Sequence, residues 1–183
     1  YVVPITVTVL AVLFIAQRAG THRIGVLFGP VMLVWFVVLG ILGAVGIAAH
    51  PGILKALSPH YGAMLILADP LRGLLVLSAV FLAITGGEAL YADLGQFGRR
   101  AIARAWYFVA MPGLLLNYYG QGALILDDPS TIDNPFYLLA PDALQLPLVL
   151  LATAATVIAS QAVITGVMSI SRQAMEIGYL VPL

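Results

Sequence analysis

Apolar residues run in long unbroken stretches along this chain, separated by short clusters of charge, proline and glycine. Five stretches stand out, at about residues 1–16, 26–49, 74–94, 105–126 and 146–170. At 1.5 Å rise per residue, roughly 20 residues cross about 30 Å of hydrocarbon. The last four stretches reach that length and the first is short. The runs are continuous rather than alternating, which predicts spanning helices rather than barrel strands. The expected class is all-α, a polytopic transmembrane chain with no separate soluble domain.

The polar residues between the runs set an orientation. Arg18, Arg23, Arg99, Arg100, Arg104 and Arg172 fall on one side if the segments alternate, and only Lys55 and Arg72 fall on the other. The positive-inside rule puts the arginine-bearing connections in the cytoplasm. The connections around residues 51–70 and 127–147 then face out. Both are rich in proline, which removes a backbone donor and clashes with a preceding helical turn, so turns and short irregular pieces are expected there. Asp127, Asp128, Pro129 and Ser130 stop the fourth segment. Pro30 falls early in the second segment, where a first-turn proline is well tolerated. Pro112-Gly113 lies inside the fourth and predicts a kink.

Composition agrees with this class. The chain is 62% hydrophobic and 9% charged, with a net charge of zero, where a soluble domain has roughly 25% charged residues. Nothing points to nucleic acid as a partner. Cysteine is absent, which excludes disulfides and thiolate metal sites. His22, His50 and His60 are too widely spaced for a local metal motif and read as loop histidines facing solvent. The chain opens inside an apolar run with no charged segment before it, and reads as a piece of a longer protein rather than as starting with a signal peptide.

The candidate chemistry sits at the end of the third segment, in Ile84-Thr85-Gly86-Gly87-Glu88-Ala89-Leu90-Tyr91-Ala92-Asp93. A straight helix entering the hydrocarbon near Leu74 carries Glu88 roughly 21 Å deep. A carboxylate there costs at least a few kcal/mol and is functional by default. Gly86-Gly87 weakens the helix by about 1 kcal/mol per residue relative to Ala. Unwinding at that pair exposes carbonyl oxygens, Gly86 among them, and Thr85 adds a hydroxyl on the face of Glu88. Such oxygens are ligands for a hard monovalent cation, and broken helices at mid-membrane are the usual site design of secondary transporters. A buried carboxyl holds its proton more tightly, and a neighbouring cation weakens that hold. Glu88 is therefore the candidate proton-coupling residue. Asp93, nearer the arginines, reads as a structural charge at the helix exit.

Tyr91, Asn117, Tyr118 and Gln121 are candidate pathway residues, with interface anchoring as the competing reading for the tyrosines. Thr156 and Ser160 follow helical spacing in the fifth segment. They join the pathway candidates, although hydroxyls so spaced most often bond across helices. Trp35 and Trp106 receive no functional assignment.

Residues 85–98, from Thr85-Gly86-Gly87-Glu88 to Gln96-Phe97-Gly98, resemble the sixth-helix motif of the KUP/HAK/KT potassium uptake permeases. Leu116-Asn117-Tyr118-Tyr119-Gly120-Gln121-Gly122-Ala123, Asn134-Pro135-Phe136-Tyr137, Ala159-Ser160-Gln161-Ala162-Val163-Ile164 and Phe28-Gly29-Pro30 with Trp35 fit as well. The resemblance covers essentially the whole chain. It implies helices four to eight of about twelve, in an amino-acid–polyamine–organocation (LeuT-like) fold of two inverted five-helix repeats. It also implies potassium uptake coupled to protons in the bacterial inner membrane, with no cofactor. Thr85 matches the family's potassium-binding threonine and Glu88 its glutamate. Position 87 is Gly where relatives often carry another small or branched residue. The family's first-helix aspartate–tyrosine motif and third-helix acid are absent, so these residues do not complete the ion site. The implied partners are the bilayer, potassium ion, the proton, the rest of the polypeptide and a second copy in a homodimer. An amino-acid or organic-cation permease of the same fold is the alternative. A membrane enzyme or proton-channel subunit is the reading from another class, and it lacks an interfacial His/Asp cluster or a buried lysine.

Overall fold

In the computed structural model the chain is described over residues 6–8, 11, 22–83 and 98–181. Among these residues every regular element is helical and no strand occurs. The first long helix, α1, spans His22–Ala49. Its stretch Phe28–Ala49 is long and apolar enough to cross a membrane. Because α1 starts at His22, Pro30 lies inside it rather than in the first turn. The expectation for Pro30 is corrected: it removes an interior backbone bond, the one its N–H would make to Val26.

The two faces of α1 differ in size. Val37, Ile41 and Val45, spaced four apart, are about half exposed. Gly40, Gly43 and Gly46 face a second helix closely. Small residues at the contact and large aliphatics outside are the arrangement of a helix in lipid, where backbone approach rather than burial from water drives association.

That second helix is the upper part of a continuous rod. It begins with α4 (Arg99–Ala105), passes through one π-helical stretch (Trp106–Ala110), and continues as α5 (Met111–Asp127). The backbone stays in the right-handed helical region through both junctions, while the Met111 N–H reaches back five residues to the Trp106 carbonyl. The cause is one residue away. Pro112 has no N–H, and its ring crowds the carbonyl four residues before it, so the turn ahead of it widens. The expected distortion at Pro112-Gly113 takes this form.

Between α1 and the rod lie two shorter helices, α2 (Pro59–Ala68) and α3 (Pro70–Ala83), preceded by a 3-10 turn at Pro51–Leu57. α3 thus begins four residues before the apolar run starting near Leu74. Asp69 caps α3: its Oδ1 accepts from the Arg72 N–H at 3.1 Å, and its Oδ2 pairs with Arg72 Nε at 3.1 Å. The cap leaves one orphan donor fewer at the helix start. α3 folds back on α2 so closely that a Cβ on Gly73 would stand 2.9 Å from the Ile66 Cα.

After α5 a 3-10 turn (Pro129–Asp133) and the single-turn helix α6 (Pro135–Leu138) lead to α7 (Asp142–Glu176). Both outer connections were expected as irregular turns, and they are instead mostly short helices. Pro51, Pro59, Pro70, Pro129 and Pro135 each open one. A proline at the first helical position forfeits only an N–H that has no partner anyway, and its fixed φ starts the turn. At 35 residues, α7 is roughly 52 Å long and outruns the hydrocarbon layer. It ends beyond Ile170, where Gly178 takes φ +79°. There the Tyr179 N–H reaches the Ala174 carbonyl at 2.8 Å and the Gly178 N–H reaches Met175 at 3.1 Å. These two bonds make a Schellman stop, which needs a left-handed residue that glycine adopts without strain.

Candidate ion pathway

Thr85, Gly86, Glu88 and Tyr91, with Asp93, lie outside the described residues. The structure places the remaining candidates on α5 and α7.

Asn117 sits in the middle of α5, on the side where the rod meets α1. It is 3% exposed. A Cβ on Gly43 of α1 would fall on the Leu116 carbonyl and the Asn117 N–H, and one on Gly113 would come 2.6 Å from the Phe36 carbonyl oxygen. Glycines thus let the two backbones touch above and below Asn117. Gln121, one turn further, donates from Nε2 to Asn117 Oδ1 at 2.5 Å. Asn117 Nδ2 is buried and has no hydrogen-bond partner among the described residues. So arranged, the amide oxygen of Asn117 is engaged and its free group is a donor, suited to an acceptor oxygen rather than to a cation. Tyr118 is 63% exposed and points elsewhere, so the structure brings together Asn117 and Gln121 but not Tyr118.

On α7 the hydroxyls turn inward on their own helix. Thr156 donates to the Ala152 carbonyl at 2.8 Å and Ser160 to Thr156 at 2.9 Å, and Thr153 and Thr165 do the same with Val149 and Gln161. Cross-helix bonding was the expectation for this row. The bonds four residues back win because each hydroxyl finds an acceptor without leaving its own turn. Thr156 is exposed and Ser160 half-buried. Gln161 beside them is buried at 5% and sets its Nε2 3.4 Å from Thr165 Oγ1.

Two contacts tie α1 to distant parts of the chain. His50 at the end of α1 pairs with Asp127 at the end of α5, Nε2 to Oδ1 at 2.9 Å. The histidine read as merely solvent-facing is therefore a bridge between helix ends. Trp35 of α1 meets Phe136 of α6, with ring centroids 5.7 Å apart. Trp35 is 14 residues, or roughly 21 Å, from the end of α1, so the connection after α5 dips back along the helix. Neither pairing has a local signal in the sequence, because the partners are distant along the chain.

Asp128 holds the turn below. It accepts from the Ser130 N–H at 3.0 Å and from the Ser130 hydroxyl at 2.7 Å. These bonds, the hydroxyl first, hold its carboxyl below the usual value. Among the described residues no group of three or more His, Asp or Glu could hold a metal ion.

At the other end of the rod, α1 and α4 leave a groove of about 400 Å³ lined by Gly29, Leu33, Phe36, Ile102, Trp106 and Val109 among others. Gly98, Arg99, Arg100 and Arg104 surround a recess just beyond it.

The whole chain, residues 1–183, matches the family model described as the K+ potassium transporter integral membrane domain. This chain belongs to that family. It is similar to proteins named "Probable potassium transport system protein Kup" from several bacteria. Identity is 59% over 183 residues for that of Xanthobacter autotrophicus and 60% over 179 residues for that of Aromatoleum aromaticum. It is 55% over 179 residues for that of Bdellovibrio bacteriovorus. The matches cover 98–100% of this chain and 27–29% of those relatives. No solved structure matches the chain. The K+ transporter family is an integral membrane one, so this is a membrane chain, and the relatives are named as transport proteins rather than enzymes.

Proposed function

We propose that this chain is part of a secondary potassium uptake transporter of the bacterial inner membrane, moving potassium with protons by alternating access. The observation that carries the reading is the match of all 183 residues to a potassium transporter domain. Five membrane segments, at the boundaries given by the apolar runs, cross the bilayer in a LeuT-like inverted-repeat arrangement. Potassium binds at Thr85 and the carbonyls near Gly86, with Glu88 as the coupling acid. Tyr91, Asn117, Tyr118, Gln121, Thr156 and Ser160 lie along the route. The rest of the polypeptide completes the site, and the protein pairs as a homodimer.

The test is rubidium flux through the full-length protein in vesicles, with and without a pH gradient. Uptake rises with an inward proton gradient, is competed by potassium and not by amino acids, and loses its gradient dependence in Glu88→Gln. Gradient-driven uptake that is intact in Glu88→Gln rejects the coupling assignment, and competition by amino acids rejects potassium as the substrate.

A further inference from the structure

We propose that the groove between α1 and α4 holds an acyl chain of one anionic phospholipid of the cytoplasmic leaflet, with its phosphate on Arg99, Arg100 and Arg104. Two independent features meet there. The groove is lined by carbon on both walls, Gly29, Leu33 and Phe36 from α1 and Ile102, Trp106 and Val109 from the rod. The recess beside it is built from Gly98, Ala101 and three arginines, with no carboxylate among the described residues of its lining. Ile102 and Ala105 of the groove alternate along the helix with Arg100 and Arg104 of the recess. An oily slot and a cationic seat thus share two turns of one element.

The occupant follows from that pairing. A free phosphate uses only the recess, and an apolar helix uses only the groove. A phospholipid uses both, and its anionic headgroup complements the arginines. Guanidinium forks bind phosphate oxygens bidentately, and basic pockets between membrane helices on the cytoplasmic side suit anionic headgroups. No ion pair among the described residues engages Arg99, Arg100 or Arg104. Trp106, 47% exposed, stands at the level where indole rings favour the membrane interface. The leaflet assignment rests on the arginine-in orientation; the site itself does not depend on the transport reading.

Native mass spectrometry of the full-length protein, delipidated and then titrated with phosphatidylglycerol or phosphatidylcholine, tests the proposal. The wild type retains phosphatidylglycerol over phosphatidylcholine. The Arg100→Gln/Arg104→Gln variant loses that retention by about tenfold or more, since each surface arginine contributes to anionic-lipid attraction. Gly29→Phe loses it as well. Its Cβ meets nothing within 4 Å, so the ring enters the groove without disturbing the α1–α5 contact, and the melting temperature stays near wild type. Arg172→Gln, on α7, leaves retention unchanged. Equal retention of the two lipids overturns the proposal. So does retention unmoved by Gly29→Phe, which would mark an anion seat without a lipid slot or a groove filled by protein. Rubidium uptake in the same variants separates loss of lipid from loss of transport.

Discussion

Gly43 and Gly120 meet backbone to backbone: a Cβ added to Gly120 would stand 2.6 Å from the Gly43 Cα. Leu116 and Asn117 leave no more room on the other side of Gly43. Main chain cannot step aside as a flexible side chain can. Gly43→Val is therefore expected to destabilise the full-length protein by at least about 1–3 kcal/mol, the usual scale of overpacking. Gly29→Ala, in open space, should change little. Thermal unfolding in detergent compares the two, and equal melting temperatures would remove the crossing from this account.

The Asn117–Gln121 pair separates structural from transport roles. Asn117→Leu or Gln121→Leu alone strands one amide, at about 1–3 kcal/mol when it is buried. Replacing both by Leu removes the polar atoms together and should restore much of the stability. If the pair lies on the ion route, rubidium uptake in the stable double variant stays low. Wild-type uptake there would make the pair a packing feature only.

Trp35 and Phe136 tie α6 to the middle of α1. Such an aromatic pair contributes about 0.5–1.5 kcal/mol beyond the area it buries. A double-mutant cycle with Trp35→Leu and Phe136→Leu on the full-length protein should show coupling of that size. Additive effects would mean the rings are neighbours without mutual attraction.

Asp128 gives the connection after α5 an acid-sensitive turn. Its carboxyl is lowered from the ordinary value of 3.8 by the Ser130 hydroxyl and then the Ser130 N–H. A depressed carboxyl stabilises the folded state above its unfolded value and loses that contribution as pH falls through its folded one. Ser130→Ala should therefore lower stability near neutral pH, and the gap from wild type should close below the ordinary value. A pH series of melting temperatures reads this directly, and a gap that widens in acid would reverse the sign.

Helical class was legible because a chain in lipid must satisfy its backbone internally, which leaves long apolar runs in the sequence; the family was legible only through motifs such as Leu116–Ala123 and Ala159–Ile164 that resemble it. The sense of the prolines was harder. Pro51, Pro59 and Pro135 look like breakers, yet the same missing N–H that forbids a helix interior is free at a first turn. Pro30 reads as a start only if the helix begins near it, and α1 begins at His22. Hydroxyl spacing on α7 marked a face but not a partner, since the carbonyl four residues back competes with every neighbouring helix. Asn117 was named as a polar residue late in its run. Its burial depends on glycines 74 and more residues away, at Gly43 and Gly40, which no local pattern carries. The Thr85–Asp93 stretch, the centre of the functional reading, lies outside the described residues, so its chemistry rests on the sequence.

The π-stretch at Trp106–Ala110 has a mechanical meaning for the rod. One residue taken up without advancing the α register turns everything before it by about 100° against everything after it. The arginine end and the glycine end can therefore take two bearings that a straight α-helix would lock together. Deleting a single residue there would act as a screw: the upper contact would hold, and the charged end would swing round to face a different neighbour.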